Sequence, residues 1–362
     1  MTTSAPAERT ARSPDSRRLL EFLGGAWAWI FLAILIIFFS FTGKGFLSLT
    51  NFQNILANMS ILAILAFGQT FVIITAGIDL STGYIMGMVS VVSALIMRSM
   101  APDIPLWIVI LAGLAVGIFA ALIAGLVNGL LIARLNVPPF IATLGMFGIA
   151  RGVGFLLSDG MPVPIMRQGL GRIGNGYLAY FHPEAGWSFL APPPGLERTQ
   201  MRELQGILPF VVILMIVLLV VAHLLLTRTK FGLHTYAVGG NQEAALRAGI
   251  PVARHLTMIY LLSALFAAFA GVIYNTRFTN GAANSGEALL LDSIAAVVIG
   301  GASLFGGGGT LIGTLIGALI IAVLANGLVI LAVNPFWQFI AVGVVIIFAV
   351  LIDQAQARVS QG

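Results

Sequence analysis

The sequence predicts an all-α integral membrane protein with about ten transmembrane helices. Of its 362 residues, 59% are hydrophobic and only 9% are charged, and the mean hydropathy of +1.02 is far above that of soluble domains. Apolar runs long enough to cross a bilayer, which takes about 20 residues, recur along the chain. The chain has no cysteine, which excludes disulfides and Cys-ligated metals, and its histidines show no metal-ligand spacing.

Ten apolar runs, separated by polar segments, define the predicted spans. They cover residues 24–42, 57–76, 80–99, 104–132, 138–157, 206–226, 255–275, 288–304, 310–333 and 336–353. The fourth run is long enough to be tilted or broken. Residues 24–353 are therefore expected to form a transmembrane domain, between a basic, disordered tail at 1–23 and a short tail at 354–362.

The basic residues of the short loops indicate the orientation, because cytoplasmic loops carry an excess of Lys and Arg. With the N-terminus inside, the cytoplasmic side receives the N-terminal arginines together with Arg228, Lys230 and Arg254. Both tails and the loop at 227–254 are then cytoplasmic, and the long loop at 158–205 is external. The net charge of +5 indicates basic loops that face anionic lipid, since no basic and aromatic pattern predicts a nucleic-acid surface.

Part of the sequence repeats. The segment NGLLIARLN at 128–136 is matched by NGLVILAVN at 326–334, and Gly145 and Gly343 follow the two copies at equal distances. By the count of spans, the copies cross the membrane in opposite directions. Inverted halves are a common construction in transporters, with the pathway near their interface. The match therefore suggests an internal inverted repeat.

A short polar helix is predicted within the loop at 227–254, in the stretch AVGGNQEAALRAGIP. Asn241 is a favourable N-cap, Glu243 falls in the first turn, Gly249 suits a left-handed C-terminal position and Pro251 prevents continuation. So short a helix is marginal in water and has to pack on something.

The residues alone are compatible with two packing partners for this helix. Its alanines predict a face that another protein could approach closely, formed by Ala244, Ala245 and Ala248. The alternative is a connector helix that lies on the membrane surface.

The acidic residues near the spans allow several interpretations. Asp79, in GIDLSTG at 77–83, could bind a proton or sodium ion, could hydrogen-bond sugar hydroxyls, or could cap the third span with the help of Ser81. Its spacing favours the cap. Glu287 and Asp292 open the eighth span near the outer face, where capping or gate-lining structure competes with substrate contact.

Neutral polar side chains inside the spans could line a pathway or satisfy one another. Thr143, beside Phe140, is the better pathway candidate, whereas Asn128 and Asn326 are favoured as structural by their place in the repeat. The full set of pathway candidates is Gln69, Thr70, Asp79, Asn128, Phe140, Thr143 and Asn326. Three glycines spaced four residues apart predict helix packing or a dimer contact: Gly309, Gly313 and Gly317.

Four segments in order resemble the permease subunits of ribose- and xylose-type ABC importers, in the branched-chain amino acid/ribose permease superfamily. The segments are FGQTFVIITAGIDLSTG (67–83), NVPPFIATLGMFGIARG (136–152), GLHTYAVGGNQEAALRAGIPVAR (232–254) and LDSIAAVVIGGASLFGGGGTLIGTLIGALI (291–320). The resemblance covers most of residues 50–352 and departs from the family in the N-terminal tail and the loop at 158–205.

The resemblance implies a ten-helix permease fold related to type II importers, in a bacterial cytoplasmic (inner) membrane. The polar helix would be the coupling helix that docks on an ATPase subunit, with the contact residues Gly239, Gly240, Asn241, Glu243, Ala244, Ala245, Arg247 and Gly249. Two permease copies or paralogues would form the pore, and an extracytoplasmic substrate-binding protein would dock on the external loop. The implied substrate is a monosaccharide or similar small polyol.

Energy must come from outside the chain, because the sequence contains no G-x-x-x-x-G-K-[ST] phosphate loop. The resemblance implies that the partner ATPase binds ATP and Mg, and that this chain has no catalytic residue, metal or cofactor. Two alternatives stay open: an ion-coupled secondary transporter that uses Asp79, and an uncoupled channel or membrane scaffold.

Overall fold

The computed structural model describes residues 14–197, 200–334 and 336–360. The helices are α1 (Pro14–Thr42), α2 (Leu49–Ile74), α3 (Thr82–Ser99), α4 (Leu106–Ala133), α5 (Pro139–Leu157), α6 (Leu170–Asn175), α7 (Phe210–Arg228), α8 (Lys230–Gly240), α9 (Gln242–Arg247), α10 (Val252–Phe278), α11 (Glu287–Ile299), α12 (Leu311–Ile330) and α13 (Phe336–Ser360). A 3-10 turn covers Gln200–Arg202. The strands are β1 (Val163–Pro164), β2 (Tyr177–His182), β3 (Gly186–Phe189), β4 (Gln205–Pro209) and β5 (Asn280–Gly281).

Each of the ten predicted spans contains one of the longer helices. Seven of the described helices are long and apolar enough to cross a membrane, namely α2–α5, α7, α10 and α12. Shorter apolar stretches lie in α1, at Trp27–Thr42, and in α13, at Phe336–Val345. The chain is therefore a multi-pass membrane protein.

Both terminal helices extend beyond the predicted spans. Helix α1 begins at Pro14, so the part of the expected disordered tail from 14 to 23 is helical, and residues 1–13 lie outside the described residues. Helix α13 continues to Ser360, past the predicted limit at 353. Hydropathy marks where lipid surrounds a helix, but the backbone hydrogen bonds continue wherever the residues favour a helix, and Pro is well tolerated in a first turn.

Helix α2 lies at the centre of the bundle, where almost all of its second half is buried. Helices α10, α12 and α11 pack against it, and α4, α5 and α7 turn many apolar side chains outward, as lipid-facing helices do. Close approach depends on small residues. A Cβ on Gly68 of α2 would lie 3.0 Å from the Cα of Ser263 in α10, which is tight contact between backbones.

Two helices begin inside the bundle and not at its surface. After α2 ends at Ile74, the chain turns at Ala76, whose φ of 59° is left-handed, and residues 77–81 run back beside α2. This return places Thr82, the first residue of α3, within hydrogen-bonding distance of Gln69. Helix α3 therefore starts at a depth reached more than a turn before α2 ends.

The second internal start belongs to α11. After α10 ends, the chain returns along α3, with Gly281 against Ser90 and Gly286 against Gly83. Helix α11 has 13 residues and is about 20 Å long, whereas the hydrocarbon core is about 30 Å thick. The expectation that Glu287 lies near the outer face is therefore wrong, because the extended return segment carries it to the middle of the bundle.

The starts of α3 and α11 meet at a reciprocal backbone contact. A Cβ on Gly83 would collide with the carbonyl oxygen of Gly286, and a Cβ on Gly286 would collide with that of Gly83. From this centre α3 runs toward Ser90 and Asn275, and α11 runs toward Gly300 and the first turn of α12. The arrangement fits the inverted repeat that the sequence suggests, with α2–α5 and α10–α13 as its halves.

The two ends of the bundle differ. At one end, called here the sheet end, residues 163–197 and 200–209 form a folded cap that includes the antiparallel sheet β3-β2-β4, and β1 pairs with β5. The predicted external loop at 158–205 is thus largely an ordered element. At the opposite end, called here the short-helix end, α8 and α9 connect α7 to α10.

Candidate pathway and coupling surface

Asp79 lies at the centre of a buried polar cluster and is only 1% exposed. One carboxylate oxygen accepts hydrogen bonds from the Ser81 backbone N–H, at 2.9 Å, and from the Ser81 hydroxyl. The other accepts from the Ser263 hydroxyl of α10, at 2.9 Å. The carboxylate therefore fixes the backbone at the start of α3 and ties it to α10.

Three other predicted pathway residues surround the same irregular segment. The Asn128 amide of α4 donates to the Ser81 hydroxyl at 2.9 Å, and the Gln69 amide donates to the Asp79 carbonyl and to the Thr82 hydroxyl. The Thr143 hydroxyl donates to the Pro139 carbonyl of its own helix at 2.8 Å and lies 3.2 Å from the Ile78 carbonyl. Non-helical backbone at membrane depth needs such partners, because no water is available there. In this structure these side chains are buried and hold the irregular segment in place.

The remaining polar candidates join helices. The Thr70 hydroxyl lies 2.7 Å from the Thr314 hydroxyl of α12. The amides of Asn326 and Asn51 exchange two hydrogen bonds of 3.0 Å, which link the end of α12 to the start of α2. Both contacts are made within the chain, at helix crossings.

Phe140 is the one exposed member of the predicted pathway set, at 54%. It begins a face of α5 that the rest of the described chain leaves uncovered. Three glycines on this helix, Gly145, Gly148 and Gly152, have no atom near the position that a Cβ would occupy. Helix α5 is thus available to a second protein copy, to lipid or to a pathway.

The glycines at 309, 313 and 317 are packed within the chain. A Cβ on Gly313 would collide with the Gly300 carbonyl oxygen, and one on Gly317 would collide with that of Ala296 in α11. Gly309 has a φ of 146° and lies against Ala302. The spacing predicted either helix packing within the chain or a dimer contact. The geometry supports packing between α11 and α12.

The polar helix at the short-helix end has the predicted caps. The Asn241 side chain accepts a hydrogen bond from the Ala244 backbone N–H at 2.9 Å, and Gly249 has a φ of 83°. The helix itself, α9, spans Gln242–Arg247 and is shorter than the predicted 241–249 region. Glu243 and Arg247 form an exposed ion pair one turn apart.

The alanine face, however, is not a single exposed surface. Ala245 is buried and packs with Val238, Val252 and Leu256, while Ala244 and Ala248 are exposed. Ala245 therefore anchors α9 to α8 and α10, because its position faces the chain's own short-helix core. The exposed apolar residue of α9 is Leu246, at 62%, which the sequence analysis did not single out. An isolated leucine in a polar helix was the available signal.

Helix α8 connects this surface to the transmembrane helices. A Cβ on Gly239 would collide with the Ile74 carbonyl oxygen at the end of α2, and that same carbonyl accepts a hydrogen bond from Gly307 N–H at 2.8 Å. The Tyr236 hydroxyl donates to the Gly309 carbonyl at 2.7 Å. A movement of α8 would therefore displace the end of α2 and the glycine loop at 306–309, which precedes α12.

Broken helices that meet at the centre of inverted halves are the construction of membrane transporters, and this bundle defines a membrane transport protein. The sequence profile described as branched-chain amino acid transport system / permease component matches residues 51–350. Because this match spans most of the chain, the chain belongs to that family.

The chain is similar to sugar import permeases over most of its length. It is 39% identical over 344 residues to the ribose import permease protein of Bacillus subtilis (strain 168), which covers 94% of each chain. It is 35% identical to the galactose/methyl galactoside import permease protein of Escherichia coli (strain K12), over 94% of this chain and 96% of that one. Identity to the xylose transport system permease protein of Haemophilus influenzae is 35%, over 91% of this chain and 96% of that one. These relatives are transport subunits and not enzymes, and no solved structure is significantly similar to this chain.

Proposed function

We propose that the chain is the transmembrane permease subunit of an ATP-driven ABC importer for a monosaccharide or a similar small polyol. The observation that carries the proposal is the similarity along almost the whole chain to permeases named for ribose, galactose and xylose. The buried hydroxyl and amide side chains and the family membership support it. The short-helix end is cytoplasmic in this proposal, with both termini on the same side of a bacterial inner membrane.

The coupling surface is the exposed part of α9, formed by Glu243, Leu246 and Arg247. A separate ATPase subunit binds ATP and Mg and holds this surface in a groove of its own. An exposed leucine flanked by an ion pair has the composition of a small interface centre, apolar in the middle and polar at the rim.

The motion reaches the pathway through α8. When the ATPase pair closes on ATP, α9 and α8 shift together because Ala245 joins them. Gly239 then transmits the shift to the end of α2, and Tyr236 transmits it to the glycine loop at Gly309. The helices rock between outward-open and inward-open states, so that the substrate site faces one side at a time. A second copy or a paralogue completes the pore, and an extracytoplasmic binding protein docks at the sheet end.

The test is purification of the tagged chain from its native membranes in mild detergent, with identification of the bound ATPase. Leu246→Arg places a charge in the proposed interface and should reduce ATPase recovery by about 30-fold, the effect of losing a central contact worth about 2 kcal/mol. Leu190→Arg is the matched control, because Leu190 is similarly exposed, at 66% against 62%, and lies at the sheet end.

Transport is measured in proteoliposomes that contain the purified complex, its binding protein and internal ATP. Uptake of radiolabelled ribose, galactose or xylose should require ATP and should be lost in Leu246→Arg. Uptake driven by a proton or sodium gradient without ATP would contradict the proposal and would favour the ion-coupled alternative. Equal ATPase recovery from both arginine variants would remove α9 as the coupling surface.

A further inference from the structure

One charged group on α5 cannot face lipid. Arg151 is exposed in the described chain and lies one turn from Phe147, the middle of this 19-residue helix. Its Cζ lies 5.5 Å from the centre of the Tyr84 ring, and among the described residues no carboxylate forms an ion pair with it. A charge at this depth requires water or protein beside it. The α5 face that carries Arg151 therefore borders a pathway or a partner.

Tyr84 lies beneath this arginine, in the first turn of α3. Its side chain is completely buried, with its ring 4.5 Å from that of Phe147, centre to centre. Among the described residues its hydroxyl has no hydrogen-bond partner. A buried hydroxyl without a partner costs free energy, and native structures rarely leave one so.

Glu287 completes the group from the opposite half of the bundle. It is exposed and begins α11, directly after Gly286, which contacts Gly83 beside Tyr84. Tyr84 follows Gly83 and Glu287 follows Gly286, so the two side chains begin beside the same backbone contact. A phenol and a guanidinium thus lie together beside the contact where the two inverted halves meet, and the residue that begins α11 after that contact carries a carboxylate.

We infer that Tyr84, Arg151 and Glu287 form a contact site for a sugar hydroxyl halfway along the pathway. A hydroxyl that enters between Arg151 and Glu287 accepts from the guanidinium, donates to the carboxylate and pairs with the Tyr84 hydroxyl. Each of these groups is otherwise left with unused hydrogen-bonding capacity at membrane depth. The inference rests on the proposed function and adds the residues that distinguish one polyol from another.

The first variant is Tyr84→Phe, which removes the hydroxyl and keeps the buried ring. Tyr274→Phe is its matched control, since Tyr274 is a half-buried tyrosine of α10 that packs on Phe278, away from this group. Both variants are reconstituted with the ATPase, the binding protein and ATP. Initial uptake is measured for whichever of ribose, galactose and xylose the wild type transports, and for the monodeoxy derivatives of that sugar.

For the parent sugar, Tyr84→Phe should lower uptake about 10-fold, the effect of one lost hydrogen bond in a water-poor site. One deoxy derivative, which lacks the partner hydroxyl, should be transported equally by variant and wild type. Comparison of variant with wild type for the same sugar cancels any effect on the binding protein. Glu287→Gln should shift the same ratio, while ATP hydrolysis and thermal stability of both variants stay near wild type.

A uniform loss across the parent and all deoxy sugars would overturn the inference, because a merely structural tyrosine cannot distinguish them. Wild-type uptake of every sugar by Tyr84→Phe would overturn it equally. Failure of the wild-type complex to transport any of the three sugars with ATP would instead refute the proposed function on which the inference depends.

Discussion

Asp79 and Tyr84 lie five residues apart around the start of α3, but of the two only Asp79 has its side-chain oxygens hydrogen-bonded to other described residues. Each carboxylate oxygen of Asp79 accepts at least one hydrogen bond, from donors on its own segment and on α10. The Tyr84 hydroxyl has no partner among the described residues, and the Arg151 guanidinium lies 5.5 Å from the centre of its ring. The Asp79 carboxylate is thus occupied by the chain itself, whereas the Tyr84 hydroxyl is left for another partner.

The physical reason lies in the irregular backbone. Residues 77–81 are not helical, and their amides and carbonyls need partners. The Ser81 amide donates to the Asp79 carboxylate, and the Asp79 carbonyl accepts from the Gln69 amide. The Asp79 carboxylate is used within the chain, while the side-chain carbonyl oxygens of Gln69 and Asn128 have no partner among the described residues. Tyr84 belongs to a regular helix whose backbone needs nothing from it, so its hydroxyl is free for another purpose.

The largest effect is expected from a substitution that forces the starts of α3 and α11 apart. Gly83→Val would drive a side chain into the Gly286 carbonyl, and backbone cannot move aside as a flexible side chain can. We expect a loss of about 3 kcal/mol or more in the free energy of unfolding, hence little or no folded protein. Yield after size-exclusion chromatography and the thermal unfolding midpoint measure it.

Gly148→Val serves as the control, since no atom lies near the Cβ position of Gly148. Its isolated subunit should fold with a midpoint close to wild type. Normal yield and stability of Gly83→Val would mean that the starts of α3 and α11 are not in contact and do not share a centre.

The sequence predicted the helices well and their depths poorly. Each of the ten apolar runs coincides with a helix, and seven of these helices are long and apolar enough to cross a membrane. Lipid-facing and core-facing side chains are both apolar, and an apolar run of about 20 residues has few other structures open to it. The same uniformity hides where a helix starts. Glu287 was expected near the outer face, and only contacts distant in sequence, such as Gly286 with Gly83, reveal that it lies at the centre.

Whether a site residue could be predicted depended on how far along the chain its contacts lie. Local rules gave the caps of α9, because Asn241 and Gly249 act on residues close in sequence. Ala245 was assigned to an exposed face because the partners that bury it lie on α8 and α10, elements that no helical pattern of α9 could reveal. Arg151 was visible as a charge inside a predicted span, but only the structure brings Tyr84 and Glu287 to it.

A second prediction sharpens the comparison at Asp79. Asp79→Ala should lower the free energy of unfolding by about 2 to 4 kcal/mol, because the Ser81 amide and the Ser263 hydroxyl lose their acceptor. Asp79→Asn keeps one acceptor oxygen and should lose about half as much. Thermal unfolding of the purified variants measures both.

ATP-driven uptake by Asp79→Asn should remain within about 3-fold of wild type, as expected for a group that holds backbone and carries no ion. Tyr84→Phe reverses the pattern, with stability kept and sugar uptake reduced. If Asp79→Asn stayed fully stable but abolished uptake, Asp79 would be an ion or substrate site, and the contrast between the two residues would collapse.

The smallest predicted effect concerns Asn51 and Asn326, a half-buried pair that exchanges two hydrogen bonds of 3.0 Å at the sheet end. Asn326→Ala should cost about 1 kcal/mol of stability and leave uptake unchanged, because both of its bonds are used within the chain. Asn51→Ala should cost slightly more, since its amide also donates to the Phe46 carbonyl. The double variant should lose less than the sum of the two singles, as residues in contact are coupled. Additive losses would show that the amides do not depend on each other, and a fall in uptake without loss of stability would return Asn326 to the pathway.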